Sequence, residues 1–170
     1  MNMTHHKSGL RWLWLAVLAF VLDQASKLAV VKLLPFGYPG VEITPFFNLV
    51  HVYNKGAAFS FLADQGGWQR WFFAVLAFAI CGLLIHWLRK QSVTQRWSGI
   101  AYSLIIGGAL GNVIDRIRFG AVVDFVQWHV AGFYWPAFNI ADSAITIGAV
   151  LMVWDQFFGA GARASGSDSR

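Results

Sequence analysis

Four stretches of the chain are almost wholly apolar: Trp12–Val31, Trp71–Leu88, Trp97–Ile114 and Ala137–Trp154. Each is long enough for a transmembrane helix, which takes about 20 such residues within a range of about 17–25. The second and third contain no Asp, Glu, Lys or Arg; Asp23 and Lys27 interrupt the first, and Asp142 the fourth. Between the helices the period changes. Phe46–Asn54 is rich in strand-forming residues. Within residues 119–136, Val122, Asp124, Val126, Trp128 and Val130 alternate as on one face of a strand. Pro35, Pro39 and Pro45 punctuate segment 34–70, and Gly132 and Pro136 break the chain before the last helix. This pattern predicts an all-α integral membrane protein. Residues 1–170 would form a single membrane domain: a bundle of four transmembrane helices with a small β-rich segment over one face. The connecting segments 34–70 and 115–136 would lie on that face, and residues 159–170, rich in Gly, Ala and Ser, read as a disordered tail.

Composition strengthens the membrane reading. Hydrophobic residues make up 57% of the chain and charged ones 12%, where soluble domains carry about 25% charged residues. Tryptophans cluster at the proposed helix ends, as indoles do at headgroup level. The net charge of +5 comes from scattered basic residues with no dense run, so it does not indicate nucleic acid. It does orient the bundle. The short loop Arg89–Arg96 holds Arg89, Lys90 and Arg96, and Lys7 and Arg11 precede the first helix. The positive-inside rule then places both termini in the cytoplasm and segments 34–70 and 115–136 on the other side. The first helix lacks a small-x-small site that would make it a cleaved signal peptide. Cys81 stands alone in an apolar stretch, with no disulfide partner.

Candidate chemistry gathers at one depth. With a rise of about 1.5 Å per residue, Asp142 falls about 8 Å inside the outer end of a helix beginning at Ala137. Asp23 and Lys27 lie in the outer half of the first helix, Asn112, Asp115 and Arg116 close the third, and Asp124 is in the following loop. A carboxylate in hydrocarbon is costly and persists where it faces a partner, water or a function. Asn139, Asp142, Ser143 and Thr146 share one stripe of the fourth helix. Ser103, Gly107, Gly108, Gly111, Asn112 and Asp115 form a small and polar stripe on the third. These two faces are expected to meet.

Several of these residues admit two readings. Asp23 and Lys27, at i and i+4, are either an ion pair anchoring the first helix or part of a site lining. Arg116 suits an interfacial anchor, and Asn54 beside Gly56 suits a turn. Two carboxylates in a desolvated site share one proton, which suits amide hydrolysis: one activates water and the other polarises the carbonyl. Asp124 and Asp142 are the pair that the chain brings to the same end. The histidines have no zinc spacing, and no nucleophile elbow or P-loop is present. A small proton- or ion-coupled transporter is the alternative, since intramembrane carboxylates also mark ion paths.

Five runs in order resemble a known family. They are Asp23-Gln24-Ala25-Ser26-Lys27, Asn54-Lys55-Gly56-Ala57-Ala58-Phe59, Gly107 through Arg116, Val122-Val123-Asp124-Phe125 and Phe138-Asn139-Ile140-Ala141-Asp142-Ser143. Together they resemble the bacterial lipoprotein signal peptidases, signal peptidase II, over residues 10–158. The resemblance implies an aspartyl endopeptidase of the bacterial inner membrane that uses no cofactor or metal and is the target of globomycin. Its partners would be membrane lipids and a prolipoprotein carrying diacylglyceryl on a cysteine, cut on the amino side of that residue. It implies Asp124 and Asp142 as catalytic residues. Asn54, Gly56, Gly108, Asn112, Arg116, Asn139 and Ala141 would hold substrate backbone or the aspartates, with Asp23 and Lys27 in support. The expected state is a monomer with its active site towards the periplasm.

Overall fold

The computed structural model describes residues 8–56 and 66–159. Ala57, Ala58 and Phe59, and the tail beyond Gly159, lie outside the described residues. Four helices form the body: α1 (Leu13–Leu33), α2 (Gln69–Lys90), α3 (Arg96–Phe119) and α4 (Ile140–Trp154). All four are long and apolar enough to cross a membrane, counting the turns that extend α1 and α4. Their outward faces carry Val17, Leu18 and Val21 on α1, Phe72, Val75 and Leu76 on α2, and Val150 and Val153 on α4, all exposed. Water would penalise such faces; a bilayer does not.

Helix α3 is central and packs against each of the other three, most extensively α4. Its small stripe makes this possible. A methyl group at Gly107 would strike the Ala16 carbonyl of α1, and one at Gly108 the Ala141 carbonyl of α4. Helices come this close in membranes only where side chains are small. The opposite side of α3 packs conventionally, with Ile106 and Ala109 against Cys81, Leu84 and Leu88 of α2. Helix α3 stops at Gly120, whose φ of 73° lets its N–H return to the Arg116 carbonyl.

Four antiparallel strands cap one end, in the order β1 (Gly37–Thr44), β2 (Phe47–Asn54), β3 (Val122–Val130) and β4 (Phe133–Tyr134). Strands β2 and β3 fall where the sequence pattern puts them. Strand β1 was hidden by Gly37, Pro39 and Gly40; as an edge strand with irregular pairing it tolerates a proline. The expected common face of β3 is shorter than the alternation suggests. Val122 and Asp124 share one face of the strand, towards a cavity, and Val123 and Phe125 pack on Val30 of α1. Val126 joins that second cluster, and Trp128 and Val130 are exposed. A bulge in β2 between Leu49 and Val52 accompanies this change.

The fourth helix also differs from expectation. It begins at Ile140, not Ala137, because Phe138 is held in extended pairing: its N–H donates to the Val126 carbonyl, and its own carbonyl accepts from Phe125 and Val126. Asp142 therefore sits in the first turn of α4 and not five residues down a helix. At the other end, helical geometry continues as a π turn through Gly159, the residue expected to open the tail.

Candidate active site

Asn139 organises the junction between the sheet and the bundle. Its backbone is extended, and its side-chain oxygen accepts from the Asp142 N–H at 2.9 Å, while Asp142 Oδ2 accepts from the Asn139 N–H at 3.3 Å. This reciprocal cap starts α4. It also fixes the Asp142 carboxylate at the helix end, where the backbone dipole favours an anion. The Asn139 side-chain amide, fully buried, reaches the other way and donates to Asp124 Oδ1 at 2.7 Å and to the Val123 carbonyl at 3.2 Å. One residue thus caps the helix bearing one aspartate and hydrogen-bonds the other.

Asp124 is placed by strand pairing, opposite Val52 of β2, and is 2% exposed. Its second oxygen accepts from Asn54 Nδ2 at 3.2 Å, and Asn54 Oδ1 accepts from the Gly56 N–H at 3.0 Å. Asn54 thus closes a turn, as expected, and also touches an aspartate. Burial, followed by the nearby Asp142 charge, pushes the Asp124 carboxyl up to about 7. Asp142 is half-buried, and its Oδ1 accepts from Asn112 Nδ2 at 2.8 Å.

Behind Asn112 lies a charged cluster. Lys27 is 2.8 Å from both Asp23 Oδ2 and Asp115 Oδ2 and donates to Asn112 Oδ1 at 2.9 Å. Asp23 Oδ1 accepts from the Ala141 N–H at 2.9 Å, and Asp115 Oδ2 from the Val123 N–H at 3.1 Å. The cluster therefore joins α1, α3, α4 and β3. Gly111 leaves room for the Asp23 carboxylate, and Gly108 for the Ala141 backbone. The expected i, i+4 ion pair is present, and it is half of a larger network. Arg116 is more than an interfacial anchor. It donates to the Gly56 carbonyl at 3.0 Å and to the Asn112 carbonyl at 3.3 Å, and its guanidinium lies 5.0 Å from the Phe73 ring centre.

Asp124 and Asp142 line one open cavity of about 870 Å³, together with Asn54, Gly56, Asn112 and Arg116. That volume suits an organic ligand. The cavity combines these polar groups with an apolar wall that includes Pro136, Ile145 and Ile147. Gly108, Asn139, Ala141, Asp23 and Lys27 are not among its lining and lie behind it. Tyr38 and Trp135 also line the cavity, and the sequence held no local signal for them, since they arrive through strand pairing and an irregular segment. Gln24 was missed too: its amide donates to Asp115 Oδ1 at 3.1 Å and to the Gly111 carbonyl at 3.2 Å. The Asn139-x-x-Asp142 spacing could have revealed the helix cap, had the helix start been placed correctly.

Comparison with known proteins shows the family. The family model of signal peptidase (SPase) II matches residues 15–158. The lipoprotein signal peptidase of Aeromonas hydrophila subsp. hydrophila is 85% identical over 92% of this chain and 94% of its own. That of Tolumonas auensis is 58% identical over 88% of this chain and 92% of its own, and that of Vibrio cholerae (strain O395) is 51% identical over 92% of each. A solved bacterial membrane enzyme superposes with a TM-score of 0.76 at 30% identity, covering 97% of this chain and 96% of that one. The chain belongs to the signal peptidase II family.

Proposed function

We propose that Asp124 and Asp142 are the catalytic pair of a peptidase acting at the membrane surface. Membership of signal peptidase II makes the chain a multi-pass membrane aspartic peptidase that removes signal peptides from prolipoproteins. A transporter is not supported: the matched family is a peptidase, and the polar network lies at one end of the bundle instead of crossing it.

One observation carries the assignment of residues. Two carboxylates line a single cavity and are both held by Asn139, whose side-chain amide donates to Asp124 and whose backbone N–H donates to Asp142. Such a pair holds one proton between its members at neutral pH. The ionised carboxylate takes a proton from water as the water oxygen attacks the scissile carbonyl carbon. The protonated carboxyl donates to the carbonyl oxygen, which becomes the hydroxyl of a tetrahedral intermediate. Collapse of that intermediate breaks the C–N bond: the proton first taken from water goes to the leaving nitrogen, and one hydroxyl returns its proton to the carboxylate that had donated, which leaves a carboxylic acid product. The raised affinity of Asp124 for its proton suits it to the acid role. Asp142, with N–H donors on both oxygens, suits the base.

The substrate in this reading carries diacylglyceryl on its cysteine and arrives by lateral diffusion in the bacterial inner membrane. The apolar wall at Pro136, Ile145 and Ile147 supports lipid beside the reaction centre. Both termini are cytoplasmic, the cavity faces the periplasm, and the protein works as a monomer. Reporters fused near Gly66 and after Arg170 test the topology: the first should be exported and the second retained. Purified protein in lipid tests the function. It should release the signal peptide from a diacylglyceryl prolipoprotein and cut poorly an unmodified one anchored by its own signal helix. Equal rates on the two anchored substrates would remove the lipid from the specificity, and no cleavage of either would remove the function.

A further inference from the structure

Among the described residues, Asp23, Lys27 and Asp115 form the most deeply buried charged cluster, yet none of them lines the cavity. Lys27 is 3% exposed, with Asp23 and Asp115 each at 2.8 Å. Its third contact is the informative one. An ammonium has three N–H donors and no acceptor, and two of these satisfy the carboxylates. The remaining one points at Asn112 Oδ1, at 2.9 Å. A tie that only joined α1 to α3 would not need it.

That donor decides which way the Asn112 amide faces. Asn112 Oδ1 also accepts from Asn139 Nδ2 at 3.3 Å. With two donors aimed at one end of the amide, only the oxygen fits there. The NH₂ group is left to face Asp142, and it donates to Oδ1 at 2.8 Å. In the reversed orientation the amide oxygen would oppose the Asp142 carboxylate, and the NH₂ would oppose the ammonium. A neutral contact alone would hold that choice weakly; a buried charge holds it strongly.

We propose that Lys27 is a positioning residue for hydrolysis: held by Asp23 and Asp115, its ammonium locks the Asn112 amide so that its N–H donor stays on Asp142. The proposal rests on the reading of Asp124 and Asp142 as the catalytic pair. The charged and titratable groups around that pair are Arg116 and Asp115 on α3, Asp23 and Lys27 on α1, and Tyr38 on β1. Among these, Lys27 alone orients a donor onto an aspartate.

The test compares wild type, Lys27→Met, Asn112→Ala and the double variant in lipid, on a diacylglyceryl prolipoprotein, with folded fractions measured by thermal melting. Lys27→Met should lower kcat by about 10–100-fold. KM should stay within about twofold, since the binding surface is untouched. The acidic limb of kcat/KM should move to higher pH, because a cation that favours the first ionisation of the pair is gone. Combined with Asn112→Ala, Lys27→Met should cost no further kcat, as expected for groups acting through one another. A wild-type kcat and pH profile in folded Lys27→Met overturns the proposal, and so does a full multiplicative loss in the double variant. If Lys27→Met does not fold, Asn112→Asp carries the test: it keeps an acceptor for Lys27 but offers Asp142 no N–H. It should melt below wild type, because two carboxylates then face each other, and lose kcat per folded molecule; wild-type turnover would overturn the proposal. Asp142→Asn, assayed alongside, separates the two ideas. Cleavage by that variant means that the catalytic pair is wrong; its inactivity beside a wild-type Lys27→Met means that only the positioning role is wrong.

Discussion

Helix α3 meets α2 on one side and α4 on another, and the two interfaces are built on different terms. Against α2 it presents Ile106 and Ala109 to Cys81, Leu84 and Leu88, an apolar contact in which side chains fill the space between the helices. Against α4 it presents Gly108, with no side chain, to the Ala141 backbone, and next to this the Asn112 amide reaches Asp142. The first interface can yield by small rotamer changes. The second cannot, because a backbone carbonyl fills the space that any side chain would take. Rigidity is thus concentrated where an aspartate must be held and relaxed where only lipid and packing are involved. The sheet adds a second fixed reference by carrying Asp124 on β3.

Enlarging Gly108 should break this contrast most severely. Gly108→Val would push α4 away at Ala141, destabilising the fold by about 1–3 kcal/mol. It should also slow cleavage by more than about 10²-fold, the cost of a misplacement near 1 Å. Leu84→Ala in the other interface should have the opposite signature. Stability falls by about 2 kcal/mol, while kcat per folded molecule stays at the wild-type value. Melting curves together with turnover distinguish the two variants, and a Leu84→Ala enzyme with impaired kcat would show that α2 also sets the site.

The pH dependence sharpens the comparison further. Asp124 is raised from 3.8 to about 7, so cleavage should decline as pH rises through about 7 and the acid partner is lost. The same shift bears on stability. Between the ordinary carboxylate value and about 7, the folded protein keeps a proton that the unfolded chain has released. This group therefore contributes less as pH rises, and its full penalty is in place above its folded value. The Tm difference between Asp124→Asn and wild type should thus move in favour of the variant between about pH 5 and about pH 8. A difference that is flat with pH would mean that Asp124 is not held protonated. This is the smallest of the expected effects.

Much of the architecture was legible because lipid imposes a simple pattern. The first two helices lie close to their predicted limits, since long apolar runs leave few alternatives, whereas α3 runs on past Ile114 to Phe119 through Asp115, Arg116 and Arg118. Strand β1 and the start of α4 were not legible, because pairing with another segment overrode the local signal. Pro39 sits on an open edge, and Phe138 is apolar but extended against Val126. Within the candidate site, depth and helical stripe singled out Asp142, and topology brought in Asp124. The depth used for Asp142 was too great: the cap places its carboxylate beside the cavity from the first turn of α4. The double use of Asn139 and the third donor of Lys27 were beyond reach. Each joins residues fifteen or more positions apart through single side-chain atoms, and no periodicity encodes such a contact.

The central claim is that Asp124 and Asp142 act as one unit, and the most direct test is a cycle of initial cleavage rates. Asp124→Asn, Asp142→Asn and the double variant would be assayed on a diacylglyceryl prolipoprotein in lipid, with the folded fraction of each measured. Each single variant should lose about 10⁴-fold or more in kcat, and the double should be no slower than the worse single, as for groups that share one task. Turnover within about tenfold of wild type for either single variant, or a double-variant loss equal to the product of the two, would contradict the account.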